Sequence, residues 1–139
     1  MKKLLILFTF IIISCSSEEV SVNEDIILII ENKHTDLNIG GLKIGGTVIN
    51  NDIKIINYGE TRTQKLSLDD FIYDVDLNEI KVTLRFDCLV GNLTNSSKTF
   101  TSSLELGKTT KISVRNCEQD EAGYQTVPCR NICATQTSY

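Results

Sequence analysis

Ile80-Lys81-Val82-Thr83-Leu84-Arg85-Phe86-Asp87-Cys88-Leu89 decides the fold. Ile80, Val82, Leu84, Phe86 and Cys88 alternate with Lys81, Thr83, Arg85 and Asp87. Successive side chains of a strand point to opposite faces. This pattern therefore predicts a strand with one face in a core and the other in water.

The same reading extends in both directions. Upstream, Ile26 to Ile30 form an aliphatic strand that ends in a turn at Glu31-Asn32-Lys33. Leu37 to Ile44 form a second strand, closed by Gly45-Gly46. Its internal pair Gly40-Gly41 predicts a bulge or a close backbone approach. Ile53 to Tyr58 follow the Asn50-Asn51-Asp52 turn, and Thr61 to Leu68 follow Gly59-Glu60. Downstream, Gly91 to Ser97 read as a loop rich in Asn and Ser. Lys98 to Leu106 then place Phe100, Leu104 and Leu106 on one face. Lys111 to Asn116 place Ile112 and Val114 inward. About seven short strands at this spacing predict an antiparallel sandwich. Leu66 to Phe71 allow a single helical turn at most.

Four regions follow: a signal peptide at 1–14, a flexible tether at 15–25, a β-sandwich domain at 26–117 and a polar tail at 118–139. The tail has no strand-length apolar run and is read as pinned by disulfide chemistry or left mobile. The chain has 139 residues and a net charge of −4 at pH 7; loss of Lys2 and Lys3 with the signal peptide leaves −6. That charge argues against nucleic acid and anionic membrane surfaces as partners. With no tryptophan, the chain offers few rings to stack on a carbohydrate.

The N-terminus supplies an address. Lys2 and Lys3 precede the apolar run Leu4 to Ile13, interrupted only by Thr9, and Ile12-Ile13-Ser14-Cys15 follows. The run is too short to span a bilayer and has the layout of a secretory signal. Its ending resembles a bacterial lipoprotein lipobox, which implies lipidation of Cys15. Each buried methylene contributes about 0.8 kcal/mol, so two or three chains there would hold the protein on a membrane. Ser16-Ser17-Glu18-Glu19 resembles the surface-export signal of Bacteroidetes lipoproteins. The same residues also read as a solvated tether.

The layout of 26–117 resembles small Bacteroidetes lipoproteins with an immunoglobulin-like sandwich. The shared features are an Ile-rich strand ending in Asn, the turn Gly59-Glu60-Thr61 and an approximate Leu104-Glu105-Leu106-Gly107-Lys108-Thr109 hairpin. The resemblance implies an all-β, immunoglobulin-like fold at the outer membrane and transfers no site residues.

Besides Cys15, the cysteines are Cys88, Cys117, Cys129 and Cys133. An even number outside the cytoplasm favours two disulfides. The preferred pairing is Cys88–Cys117 with Cys129–Cys133, although Cys117 is out of phase with Ile112 and Val114. The alternative has Cys88 or Cys117 reaching into the tail. A four-cysteine zinc site fits less well, because Cys88 and Cys117 do not form a close pair.

Other chemistry is sparse. Asp74, Asp76 and Asn78, with Asp69 and Asp70 nearby, resemble the start of a calcium loop, but Glu79 and Arg85 occupy positions that need glycine and glutamate. They are read as a solvated acidic loop. His34, the only histidine, is read as an exposed turn residue with no nucleophile motif to serve. No cofactor, metal or catalytic residue is assigned. The expected function is a non-enzymatic binding, adhesion or accessory module anchored at Cys15, with the membrane and an envelope protein as partners. A calcium- or zinc-binding protein and an envelope hydrolase are the alternatives.

Overall fold

The computed structural model describes residues 25–49, 55–72, 74–90, 96–127 and 129–139. The signal peptide, Cys15, almost all of the tether, Ile53 and most of the Asn-rich loop fall outside them.

Among the described residues, eight strands form two sheets: β1 Ile26–Lys33, β2 Leu37–Ile44, β3 Thr47–Val48, β4 Thr61–Leu66, β5 Ile80–Cys88, β6 Ser96–Ser102, β7 Thr109–Asn116 and β8 Ile132–Ser138. Sheet I has the order β4-β1-β7-β8, and sheet II the order β3-β2-β5-β6. All pairs are antiparallel except β1 with β7. The chain is an all-β sandwich. Strands β1 and β2 lie in opposite sheets.

Strand β5 behaves as its alternation requires. Ile80, Val82, Leu84 and Phe86 are buried while Lys81 and Arg85 are exposed. They meet Leu37, Ile39, Leu42 and Ile44 of β2 within sheet II, and Ile26, Leu28, Ile30, Leu66, Ile112, Val114 and Ile132 of sheet I across the core. The register of β2 shifts between Ile39 and Gly41, so the glycine pair is a bulge. It moves the inward positions from 37 and 39 to 42 and 44.

Four expectations change. The segment 53–58 contributes only an isolated bridge from Ile56 to Ile39 among its described residues. Leu106 lies in a turn and is exposed, while Leu104 is buried. Strand β1 continues past the predicted turn to Lys33. The tail is not merely a pinned appendage: 132–138 completes sheet I by pairing with all of β7 from Thr110 to Asn116. Among the described residues of the strand, Ile132 and Ala134 supply its apolar inward contact, and backbone pairing, the disulfides and hydrogen bonds of Gln136 with Ser102 and Ser103 hold it as well.

Candidate functional site

Strand alternation brings one end of the sandwich together. The even positions of β1 face the core, and the series runs on as Ile26, Leu28, Ile30, Asn32 and then His34. Asn32 and His34 are both 0 % exposed. The exposed-turn reading of His34 is therefore wrong: the distant segment at Asn131 packs over it.

Each buried polar group finds partners. Asn32 Nδ2 donates to the carbonyls of Leu37 at 3.0 Å and Ile56 at 2.9 Å. Its Oδ1 accepts from His34 N at 3.0 Å. His34 Nε2 lies 3.0 Å from the carbonyl of Asn131, and Nδ1 accepts from Asp36 N at 3.2 Å. That arrangement selects the neutral tautomer with the proton on Nε2. Burial holds its pKa below the usual histidine value, against the opposing pull of the Asn131 carbonyl and Asp36. Asn131 Nδ2 in turn donates to Cys117 O at 3.1 Å.

The disulfides close the same end. Cys88 at the end of β5 pairs with Cys129, and Cys117 after β7 pairs with Cys133 in β8. The preferred Cys88–Cys117 and Cys129–Cys133 pairing is thereby overturned, and the tail-tying alternative holds. The reason is spatial. The segment leading into β8 brings Cys129 to the end of β5, with Cα atoms 5.7 Å apart and within disulfide reach. Cys133 sits diagonally across the β7–β8 ladder from Cys117, with Cα atoms 4.9 Å apart. Cys129 takes a left-handed conformation, φ 61°, where the chain turns back toward β5. With all four sulfurs paired, no thiolate is left for zinc at these positions.

Ion pairing fixes the loop between the two bridges. Arg115 grips Glu121 with both guanidinium nitrogens at 2.6 Å, and Glu118 N donates to the same carboxylate at 2.7 Å. These bonds hold Glu121 at a pKa of about 2 and raise Arg115 above its usual value. On the outer face of sheet I, Glu31 accepts from Ser113 at 2.7 Å and pairs with Lys111 and Lys33, which lowers its pKa to about 2.

The acidic motif has a local role. Asp76 Oδ1 accepts from Asn78 N at 2.9 Å and caps the short helix Leu77–Glu79. Asp70 accepts from Ser67 N at 2.7 Å at the helix Leu68–Asp70. Capping side chains of this type satisfy backbone N–H groups that lack helical partners. Among the described residues, no group of three or more His, Cys, Asp or Glu side chains gathers closely enough to hold a metal ion.

Clefts open elsewhere among the described residues. One of about 330 Å³ is lined by Gly45, Gly46, Val75, Asp76, Glu79 and Lys81. Another, of about 150 Å³, lies between the edges of β6 and β8, over Phe100, Ile112 and Ala134. Neither holds His34. No protein-family model, curated protein or solved structure matches the chain. Among the described residues, no helix is long and apolar enough to cross a membrane.

Proposed function

We propose that this chain is a bacterial envelope lipoprotein, held at the outer membrane through lipid on Cys15 and facing the cell surface. Its sandwich serves there as a non-enzymatic binding, adhesion or accessory module. The observation that carries this reading is the pair of tail-tying disulfides, taken with the lipobox-like Ile12-Ile13-Ser14-Cys15. Such bridges persist outside the reducing cytoplasm. They use every cysteine except the one that the signal sequence nominates for lipid.

The binding-module reading is supported by how the polar residues are spent. His34 gives both ring nitrogens to backbone groups, and Asp76 and Asp70 cap turns. The likeness to immunoglobulin-like modules is proposed at the level of two-layer architecture only.

The test is metabolic labelling with radioactive palmitate in the native host, with protease treatment of intact cells. The wild-type chain takes up label, sediments with outer membranes and is cut from whole cells. Cys15→Ala loses the label and leaves the membrane fraction. An unlabelled wild-type protein would refute the anchor, and labelled protein resistant to protease until lysis would refute the surface orientation.

A further inference from the structure

We propose that the outer edge of β8 is a self-association surface. Two copies of this chain pair their β8 strands antiparallel about a two-fold axis at Gln136, joining the two copies of sheet I into one continuous sheet.

Among the described residues, no strand pairs with the outer edge of β8. Thr109 and Tyr139 exchange both N–H···O bonds, each at 3.0 Å, and Cys117 N donates to Asn131 O at 3.3 Å. Bonded and non-bonded pairs alternate along an antiparallel ladder. The odd residues of β8 therefore bond to β7, while Ile132, Ala134, Gln136 and Ser138 turn their N–H and C=O groups to the free edge. The carbonyl of Ile132 is taken by Lys98 Nζ. The open run is Ala134 to Ser138, and its residues from Thr135 onward are exposed.

This run is unguarded. Edge strands are commonly protected by charged side chains, lysine above all. Strand β4 carries Arg62 and Lys65, and pairing it with a copy of itself would set each cation against the other. Strand β3 has two residues. Strand β6 carries Lys98, and β8 has no charge at all.

The run is also self-complementary. A two-fold at Gln136 sets Ala134 opposite Ser138, Thr135 opposite Thr137 and Gln136 opposite its own copy. All three outward N–H groups and all three outward carbonyls then find partners in the second copy, and no charge is buried. Such an interface is isologous and closes on itself, so it stops at two copies. The cleft over Phe100, Ile112 and Ala134 opens beside this edge. The second copy covers it and removes its apolar floor from water.

Native mass spectrometry of the full chain, released from detergent micelles at micromolar concentration, tests this. The wild-type protein is expected as a dimer. Thr135→Glu with Thr137→Glu sets Glu against Glu twice across the axis and gives a monomer. Thr135→Lys with Thr137→Lys does the same. An equimolar mixture of the two double variants restores a dimer containing one of each. A monomeric wild-type protein, or a dimer that persists in both double variants, overturns the proposal. Hydrogen exchange on the wild-type protein supplies a check free of mutation. The amides of Ala134, Gln136 and Ser138 slow as concentration rises, and exchange independent of concentration overturns the proposal.

Discussion

At the residue scale, Asn32 and His34 show how a polar side chain can sit in a core at little net cost. An unpaired buried polar group costs about 1–3 kcal/mol, whereas a paired one is close to neutral or mildly favourable. Asn32 meets two carbonyls and an amide, and His34 meets one of each. The histidine also makes stability depend on pH. Its folded pKa is depressed, so the unfolded chain takes up a proton that the folded chain refuses. Stability is fully present above the unfolded value, near 6.5, and declines as pH falls below it. Urea unfolding between pH 7.5 and pH 5.5 should show a loss of up to about 1 kcal/mol, and His34→Gln should flatten that slope. Glu31 and Glu121 do not interfere in this window. Held near 2, they give stability that is lost only as pH falls below about 4.5 and through about 2. An unchanged slope in His34→Gln would remove His34 as the cause.

At the element scale, the Gly40-Gly41 bulge makes a sharp prediction. Two glycines stand where Arg85 alone stands on β5, and the register on either side is regular. Deleting Gly41 therefore leaves Leu37, Ile39, Leu42 and Ile44 all inward and aligned with the same residues of β5. That variant should fold, with a change in stability within about 1 kcal/mol. Deleting Lys43 instead turns Ile44 outward and should cost about 2–3 kcal/mol, the value of burying such a side chain. Thermal unfolding of the two deletions decides the matter, and equal losses would contradict the bulge. This element was legible in the sequence as a bulge or a close backbone approach, because the pair Gly40-Gly41 falls inside an apolar strand. The strand β8 was not legible. Its residues Thr135, Gln136, Thr137 and Ser138 carry no apolar signal, and the strand depends on a neighbour that pairs with it.

At the scale of the whole molecule, the disulfides close overlapping loops, Cys88–Cys129 with a separation of 41 and Cys117–Cys133 with a separation of 16. Loop-closure entropy gives each bridge roughly 3–4 kcal/mol. Because the loops overlap, the two contributions are not additive. Replacing Cys117 and Cys133 by serine should lower unfolding free energy by about 3 kcal/mol and raise amide exchange across β8 first. Loss of stability without faster exchange in β8 would show that the bridge acts elsewhere. Without either bridge, β8 would hold its place by one backbone ladder, the apolar contacts of Ile132 and Ala134, and side-chain hydrogen bonds of Gln136 with Ser102 and Ser103 and from Lys98 to the Ile132 carbonyl.

The sequence by itself determined the class of the fold, most of the strands and an irregularity at Gly40-Gly41, which the register of β2 against β5 shows to be a bulge. Alternation, turn residues and glycine placement are local properties, written within about ten residues of one another. Only the tertiary structure decided the disulfide partners, the burial of Asn32 and His34 and the inclusion of 132–138 in sheet I. Each of these depends on which distant segments come within bonding distance, and no local pattern carries that distance. A histidine in a turn is exposed or buried according to what packs over it. Here the covering group is Asn131, 97 residues away along the chain.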